Sequence, residues 1–581
     1  MRKLLLSLIA ATAICSCNQK EKNNTPNFTT YFEKSGGKET PTYPEVISYY
    51  EKLANAFPQI HLQTVGETDA GFPLHVITFN PDQEFDFKKI RQHKTVLLIL
   101  NGIHPGESDG IDATMMLYRD LAEGKIKAPK DVVLATIPLY NIGGALNRNK
   151  HSRANQNGPE EYGFRGNAEN YDLNRDFIKN DSKNSRAFAA IYHLVQPDVF
   201  IDNHVSDGAD YQYVLTHLFT QHNKLGGKLG SYLHNELMPA LVDSLEQKNW
   251  PITPYVNVFN QVPEVGFSQF MDYPRYSTGY TTLWNTLGMM VETHMLKPYK
   301  TRVEGTYELM KSMINITEKD HETIKNLRQE EFQYFDTNPS YTLQWQIDST
   351  KVDTLSFKGF EGHFEPSKIT GADRLKYDRT KPFTKPVAYY DYIKPLKAVS
   401  VPSAYVIPQG WWKIIERLGW NNIEMHPLEK DSTITVETYT IKDFDTRKTP
   451  FEGHYLHSNT SVEKSTKTIT FRKGDIIIPV HQAGLRYLIE TLEPEATDSF
   501  FNWNFFDTIL QQKEGFSPYV FEDIALNLLA KKPDLKAKFE HEKETDKAFA
   551  GNWYAQLNWI YKHSDYAEKA YMNYPVYRIM Q

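Results

Sequence analysis

The chain has 581 residues, of which 40% are hydrophobic and 24% are charged, and its formal net charge is -7. This composition excludes an intrinsically disordered chain, which combines low hydrophobicity with high net charge, and a nucleic-acid binder that depends on a basic surface. At about 150 residues per domain, the length predicts two to four domains. The two cysteines, Cys15 and Cys17, both stand near the start, so a metal in the folded body must be held by His, Asp or Glu.

The N-terminal segment has the pattern of a bacterial lipoprotein signal. A basic start precedes an apolar run from Leu4 to Ile14, which has the length of a signal-peptide core and is too short to span a bilayer. The Ile-Cys-Ser-Cys string that follows resembles a lipobox, which implies cleavage after Ser16 and lipid on Cys17. An ordinary secretory signal is the alternative. Residues 17–40 are then expected to form a flexible tether that anchors the protein to the envelope of a Gram-negative-type cell, facing the periplasm or the outside.

Residues 41–327 alternate apolar strands with helical stretches. Continuous apolar strands are predicted at Thr95–Leu100, Asp131–Ile137, Asp198–Asp202 and within Thr282–Val291, and helices at Gly110–Glu123 and Ser185–Val195. Apolar strands that are separated by helices predict a largely parallel sheet covered on both faces. In such α/β folds the functional groups gather just past the C-terminal ends of the strands.

An H-x-x-E motif follows the first of these strands. His104 and Glu107 stand three residues apart on a tight turn, so their side chains can converge on one zinc ion. The motif is weak by itself, because it occurs twice more in the chain. A catalytic zinc needs a third protein ligand. His204 stands just past the end of another apolar strand, where Asp202 or Asn203 can hold a ligand by a hydrogen bond; a capping or buried hydrogen-bonded histidine is the alternative.

An acidic residue ends a further apolar strand. Glu292 directly follows Met289-Met290-Val291, and a charged residue at the end of a buried strand usually has a partner or a function. A salt-bridged residue at the rim is the alternative. Between His104 and His204 lies the string Tyr-Asp-Leu-Asn-Arg-Asp-Phe, which begins at Tyr171.

The order of these motifs resembles that of the zinc carboxypeptidases of carboxypeptidase A type. The shared order is H-x-x-E, R-x-N, D-L-N-R-D-F, a strand-end His and a strand-end Glu, and it covers about residues 41–320. The resemblance implies a mixed, mostly parallel eight-stranded sheet between helices, which agrees with the strand pattern. It also implies one zinc ion as cofactor and hydrolysis of a peptide substrate next to its free C-terminal carboxylate.

The resemblance further implies roles for the matching residues. His104, Glu107 and His204 match the zinc ligands, and Glu292 matches the general base, which takes the proton of a zinc-activated water. Arg153, in the R-x-N string, best matches the arginine that polarises the scissile carbonyl. Two neighbouring arginines, Arg148 and Arg165, compete for that role.

Four residues match the substrate-binding positions of the same family. Asn174 and Arg175 correspond to the pair that binds the terminal carboxylate, which a guanidinium can do with two parallel hydrogen bonds. Tyr276 and Tyr280 are both candidates for the tyrosine that covers the substrate, because neither has the family's spacing from Glu292. The residues that line the specificity pocket cannot be assigned from the sequence.

Residues 328–581 have a different texture and are predicted to form one or two accessory α+β domains. Half-exposed strands are predicted at Leu343–Ile347 and Ser432–Ile441, and Lys531–Lys547 is predicted to be a charged helical stretch. Two aromatic groups, Trp411-Trp412 and Phe500–Phe506, allow either a ligand platform or a hydrophobic core, and their spacing favours the core.

Three functions remain open on the sequence. The first is a zinc carboxypeptidase that trims peptides outside the cytoplasm. The second keeps the zinc hydrolase core but acts on cell-wall peptides or N-acyl amino acids. The third is a non-catalytic surface lipoprotein that binds peptide or glycan. The complete set of metal ligands and base favours the first, with the membrane contacted through the N-terminal lipid and no nucleic-acid partner.

Overall fold

The computed structural model describes residues 27–580, without the side chains of residues 335–337. The predicted signal peptide, residues 1–16, and the predicted lipid attachment site, Cys17, lie outside the described residues. Within the described part of the chain, no helix is both long enough and apolar enough to cross a membrane.

Eight strands of the N-terminal half form one mixed sheet. The strands up to residue 294 are β1 Ile60–Glu67, β2 Pro73–Phe79, β3 Thr95–Leu100, β4 Val132–Ile137, β5 Val199–Ser206, β6 Leu215–Phe219, β7 Ile252–Pro254, β8 Phe267–Ser268 and β9 Leu287–His294. All of them except β8 pair in the order β1-β2-β4-β3-β5-β9-β6-β7. Four of the seven neighbouring pairs are parallel, namely β4-β3, β3-β5, β5-β9 and β6-β7. The predicted mixed, mostly parallel eight-stranded sheet is therefore confirmed.

Helices cover both faces of this sheet. They are α1 Tyr31–Lys34, α2 Tyr43–Ala56, α3 Phe87–His93, α4 Asp109–Ala122, α5 Ile142–Leu146, α6 Lys183–Val195, α7 His222–Leu225, α8 Gly227–Tyr232, α9 Met238–Glu246, α10 Ser277–Thr282, α11 Tyr299–Lys319 and α12 His321–Thr337. A π-helical turn, Leu233–Leu237, joins α8 to α9. The central strands β3, β4 and β5 are buried along their whole length, which explains why their sequences show no alternation of polar and apolar residues.

Local sequence signals set the start and end of the helix before β5. Ser182 caps α6, since its hydroxyl accepts a hydrogen bond from the main-chain N–H of Ser185. The helix ends at Gln196, which takes the left-handed conformation with φ 47°. Pro197 and Asp198 then lead directly into β5, whose C-terminal end carries His204.

Part of the segment that was predicted as a flexible tether, residues 28–40, packs on the sheet domain. Phe28 and Phe32 are buried in the main core. Thr30 and Glu33 form a capping box at the start of α1, and Arg119 of α4 forms an ion pair with Glu33. Residues 28–40 of the predicted tether therefore pack on the sheet domain, where Phe28 and Phe32 bury apolar surface.

The C-terminal half is an α+β arrangement, as predicted. Its strands are β10 Ser340–Ile347, β11 Asp353–Pro366, β12 Asp373–Tyr390, β13 Ile393–Ser400, β14 Ala404–Ile407, β15 His426–Pro427, β16 Ser432–Thr446, β17 His457–Phe471, β18 Ile476–Pro479 and β19 Tyr577–Ile579. Its helices are α13 Trp412–Trp420, α14 Leu485–Leu492, α15 Pro518–Lys531, α16 Pro533–Thr545, α17 Lys547–Ala550 and α18 Trp553–Lys562. Six of the strands form one sheet in the order β15-β18-β14-β19-β16-β17.

The two halves share a hydrophobic core. The main core runs from the central sheet into the C-terminal half, and β8 pairs in parallel with β12 across the boundary. The predicted boundary at residues 327 and 328 falls inside α12. Of the predicted aromatic groups, Phe500, Trp503 and Phe506 are fully buried, so the core interpretation holds for them and the basis for a ligand platform is weakened.

Candidate metal centre and substrate cleft

Two neighbouring parallel strands bring His104 and His204 to the same edge of the sheet. β3 pairs with β5 up to Leu100 and Asp202. His104 lies in the turn that follows β3, and His204 lies two residues beyond Asp202, near the end of β5. The amide of Asn203 donates to the side-chain oxygen of Asn101 at 2.8 Å, which holds the two strand ends together. The predicted placement at the C-terminal ends of the strands is therefore what the structure shows.

The side chains of His104, Glu107 and His204 converge. The Nδ1 atom of His104 lies 3.0 Å from one carboxylate oxygen of Glu107, and the Nδ1 atom of His204 lies 3.0 Å from the other. One donor atom from each of the three residues lies within 4.8 Å of the others, and all three residues are buried. Two imidazole nitrogens and a carboxylate are a donor set that zinc accepts.

A carboxylate stands behind each histidine. The Nε2 atom of His104 lies 2.9 Å from Asp172, and the Nε2 atom of His204 lies 2.8 Å from Asp202. A hydrogen bond donated by Nε2 leaves the lone pair of Nδ1 directed at the centre of the group, which is how outer carboxylates orient histidine ligands. The three residues therefore fit a zinc ion. The sequence left Asp202 and Asn203 open as the partner, and the structure shows Asp202 at His204. Asp172 was missed, although it opens the D-L-N-R string.

The charges of the centre are tightly coupled. Burial would raise the pKa of Glu107, but the charges of Arg153 and His104 hold it well below its ordinary value. Burial would lower the pKa of His204. The carboxylates of Asp202 and Glu107 outweigh burial and raise that pKa well above its ordinary value. Arg153 also donates a hydrogen bond to Glu107. The guanidinium of Arg153 thus lies at the metal centre, in agreement with its predicted neighbourhood.

Glu292 lies beside the metal centre on the next strand. It pairs in register with His204 across β5 and β9, and it lines the same cavity as all three candidate ligands. Burial raises the pKa of Glu292 to about 8; His204 opposes this, and Glu107 and Asp202 add to it. A carboxyl group whose pKa lies near neutrality is suited to accept and return a proton.

The D-L-N-R string forms a single 3₁₀ turn at the rim of the cavity. Asp172 caps this turn by accepting from the main-chain N–H of Asn174 at 2.9 Å. Asn174 and Arg175 both line the cavity. The guanidinium carbon of Arg175 lies 4.6 Å from the centre of the Tyr276 ring, so a cation–π contact holds this side chain over the opening.

The structure separates the two candidate tyrosines. Tyr276 lines the cavity. Tyr280 is fully buried, and its hydroxyl donates to the side-chain oxygen of Asn421 at 2.7 Å and lies 3.3 Å from His193. Tyr280 is therefore a core residue, and the prediction that it contacts substrate is corrected; the distinction was invisible in the sequence because the two residues lie on one short helical segment.

The three candidate arginines have different partners. Arg148 donates to the main-chain carbonyls of Pro41, Thr40 and Glu161, so it fastens loops rather than facing the centre. Arg165 donates twice to Asp172, at 3.0 and 2.8 Å, and lines the cavity. Arg153 and Arg165 are therefore the two guanidinium groups at the centre.

The inner wall of the cavity is apolar and was not assigned from the sequence. Leu218 and Met290 face each other in register on β6 and β9, and both line the cavity with Tyr255, Phe259 and Phe270. The signal in the sequence was weak, since Tyr255 and Phe259 lie in irregular chain that carries no motif.

The C-terminal half reaches the rim of the cleft through one loop. Between β16 and β17, Glu452 accepts a hydrogen bond from the main-chain N–H of Asp172 at 2.8 Å. Gly453 has φ 79°, and a side chain there would collide with Tyr171. His454 adds a contact of 2.7 Å to Asp181. The loop therefore packs against the segment that carries Asn174 and Arg175.

Comparison with known proteins gives structural likenesses only. No family model and no curated protein matches the sequence. Among solved structures, the chain is similar to a metallo-carboxypeptidase from Burkholderia cenocepacia, with 15% identity, a TM-score of 0.35 and coverage of 47% of this chain and 68% of that one. A carboxypeptidase A from Helicoverpa armigera is matched with 13% identity and a TM-score of 0.37, over 49% of this chain and 75% of that one.

A third solved structure is a metallo-carboxypeptidase from Pseudomonas aeruginosa in complex with (2-guanidinoethylmercapto)succinic acid. It has 13% identity and a TM-score of 0.35, over 48% of this chain and 68% of that one. The side chains of the site, rather than these overall likenesses, therefore have to support a function.

Proposed function

We propose that the protein is a zinc metallocarboxypeptidase, which releases amino acids from the free C-terminal end of peptides. One observation carries the proposal. The Nδ1 atoms of His104 and His204 converge on the carboxylate of Glu107 at 3.0 Å each, in the wall of a cavity that Glu292 and Arg175 also line. This cavity thus combines a metal-ligand set, a candidate base and a candidate carboxylate receptor.

His104, Glu107 and His204 would hold the metal, with Asp172 and Asp202 fixing the histidine tautomers from outside. A bound zinc ion supplies Lewis acidity, which activates water and polarises a carbonyl group at neutral pH. Three protein ligands leave one coordination position of a tetrahedral zinc open for the water that the reaction consumes.

Glu292 acts as the proton carrier of the reaction. Its carboxylate takes a proton from the attacking water and returns the proton to the leaving amine. Burial and the neighbouring carboxylates of Glu107 and Asp202 make Glu292 a stronger proton acceptor than an exposed carboxylate, which supports this role. Arg153 is the first candidate for the group that stabilises the charge on the carbonyl oxygen, because its guanidinium contacts the candidate ligand Glu107 directly, whereas that of Arg165 donates twice to Asp172.

Arg175 selects chain ends. Its guanidinium presents two parallel N–H groups, which match the two oxygens of a terminal carboxylate and find no such partner in a chain interior. Asn174 assists from the same turn, and Tyr276 covers the bound end. The apolar wall formed by residues such as Leu218 and Met290 favours substrates whose C-terminal side chain is apolar.

The test is the release of amino acids by purified, zinc-loaded protein. Peptides that end in Phe, Leu, Lys or Glu are compared with their C-terminal amides, with muropeptides and with N-acyl amino acids. We expect release of Phe and Leu from the free peptides and none from the amides. Release only from muropeptides or N-acyl amino acids would move the function to the other zinc hydrolase class, and no release from any of them would contradict an enzyme.

We further propose that lipid on Cys17 anchors this enzyme in the cell envelope. The proposal is supported by the lipobox-like string before Cys17 and by the soluble character of the composition. A Cys17→Ala protein should move from the membrane fraction to the soluble fraction while it keeps its zinc and its activity. A variant that stays in the membrane fraction would contradict the anchor.

A further inference from the structure

A second group of metal-binding side chains lies apart from the cleft, where the C-terminal half meets the sheet domain. His222 begins α7, His234 lies in the π-helical turn, and Asp391 directly follows β12. One donor atom from each of the three residues lies within 4.8 Å of the others. They share no hydrogen bond with the three ligands of the cleft among the contacts of the described residues.

The two histidines of this second group lie against each other. Their rings stack, with centres 4.1 Å apart and an angle of 23° between the ring planes. The side chain of His222 is 9% exposed, and its buried Nε2 atom has no hydrogen-bond partner among the described residues. A buried imidazole nitrogen without a partner is uncommon, because native proteins satisfy most buried polar atoms.

His234 is oriented from behind, as a metal ligand is. Its Nε2 atom lies 3.1 Å from the hydroxyl of Tyr392, and an Nε2–H that donates there leaves the lone pair on Nδ1. That Nδ1 atom faces a carboxylate oxygen of Asp391 at 3.7 Å, which is too far for a hydrogen bond. The Nδ1 atom of His234 and the carboxylate of Asp391 thus face each other without a hydrogen bond between them.

Asp391 completes the arrangement. It is 3% exposed, and its second carboxylate oxygen has no hydrogen-bond partner among the described residues. A cation bound by one donor atom of each residue would coordinate both imidazoles and neutralise the buried carboxylate. An ordinary His–Asp ion pair would leave His222 unsatisfied, so the geometry favours a metal.

We propose that His222, His234 and Asp391 bind a second divalent metal ion, zinc by the chemistry of its donors, which fastens the C-terminal half to the sheet domain. Two imidazoles and one carboxylate suit zinc better than the harder cations, which prefer oxygen ligands throughout. The proposal goes beyond the hydrolytic function and does not depend on it.

The position of the group explains what such a metal would do. Asp391 and Tyr392 form the connection between β12 and β13, whereas His222 and His234 belong to the sheet domain. Two hydrogen bonds already join the same elements, from Gln221 to the main-chain oxygen of Asp391 and from the main-chain N–H of Ile393 to Asn223 at 2.8 Å. A metal here would add coordinate bonds beside these two hydrogen bonds.

The test is metal content per chain in the full-length protein, loaded with zinc alone and then freed of excess ion. We expect two zinc ions in the wild type and one in His222→Gln and in Asp391→Asn. The double variant His104→Gln/His204→Gln should also keep one, at the second group. His75→Gln is the matched control, because His75 is a buried histidine bonded to Thr64, and this variant should keep two.

A measurement of thermal stability distinguishes a metal ion that stabilises the fold from an adventitious ion. In the His104→Gln/His204→Gln protein, added zinc should raise the unfolding temperature, and a further Asp391→Asn change should abolish that rise. No zinc in the double variant, or the same zinc content in Asp391→Asn as in the wild type, would each overturn the proposal. If one ligand variant does not fold, the other still decides the count.

Discussion

The main-chain N–H of Asp172 donates to the carboxylate of Glu452, 2.8 Å away and 280 residues later in the chain. The same Asp172 accepts from Nε2 of His104 and from Arg165. Burial raises the pKa of Glu452, and the hydrogen bond from the main-chain N–H of Asp172 opposes that rise. One residue thus links the C-terminal half to the metal centre.

Replacing Glu452 should therefore weaken the proposed catalytic site, although Glu452 lies outside it. In Glu452→Ala the N–H of Asp172 loses its acceptor, and the turn that carries Asn174 and Arg175 loosens. We expect zinc affinity and kcat/KM to fall about 10-fold, at the lower end of the range for losses behind a metal ligand. Glu429→Ala, at an exposed position, is the control, and equal kinetics in the two variants would contradict the link.

The base role of Glu292 predicts a loss of turnover without a loss of metal. Glu292→Gln keeps the shape of the side chain but cannot accept the proton of water. We expect kcat to fall about 10²- to 10⁴-fold, the usual contribution of a general base, with zinc content unchanged by elemental analysis. Glu429→Gln is the matched control. A Glu292→Gln protein with near-normal kcat would remove Glu292 from the mechanism.

The carboxylate grip of Arg175 predicts a specific loss on free C-termini. Lysine keeps the charge in Arg175→Lys but cannot make two parallel hydrogen bonds. Losing one hydrogen bond to a charged group should lower kcat/KM about 10- to 100-fold. The ratio of rates on a peptide and its C-terminal amide should fall with it, whereas Arg472→Lys, at an exposed arginine, should leave that ratio unchanged. An unchanged ratio in Arg175→Lys would assign the grip to another residue.

Replacing Tyr276 should change the kinetics, whereas replacing Tyr280 should change the stability. Tyr276→Phe removes a hydroxyl from the cleft and should change KM or kcat while the free energy of unfolding stays constant. Tyr280→Phe leaves Asn421 without its donor and should destabilise the fold by about 1 kcal/mol, with unchanged kinetics. Urea unfolding and steady-state assays on both proteins measure this; a kinetic defect confined to Tyr280→Phe would reverse the assignment.

A buried carboxyl in the C-terminal half predicts how stability depends on pH. Burial raises the pKa of Glu490 from 4.5 to about 7, and the hydroxyl of Tyr341 lies 3.0 Å from its carboxyl group. Between those two values the folded protein holds a proton that the unfolded chain has lost. The contribution of this group therefore favours folding fully below pH 4.5 and is lost as the pH rises towards 7, by about 3 kcal/mol.

Glu490→Gln should remove that dependence, because the amide does not titrate. Urea unfolding of the variant and the wild type at pH 5 and pH 7.5 gives the comparison. We expect the variant to gain stability relative to the wild type as the pH rises. A difference that stays constant between the two pH values would show that Glu490 does not hold its proton in the folded protein.

Much of the catalytic half was predictable because its signals are local. A continuous apolar run such as Thr95–Leu100 marks a strand buried on both faces, and a polar residue at its end marks the edge of the sheet. His104, His204 and Glu292 each stand at such an end, so their convergence follows once the strands are parallel neighbours. The zinc role itself came from the resemblance of the whole ordered set.

What the sequence by itself determined was the sheet and the residues at its C-terminal edge, since strand period and strand ends are properties of short segments. The tertiary structure alone decided the rest. Tyr276 and Tyr280 have similar neighbours in sequence but lie in different environments, and Phe28 anchors a stretch of polar composition. Glu452, Asp391 and the apolar wall of the cleft depend on contacts between residues far apart in the chain, and no local pattern encodes which distant side chain will fill a given space.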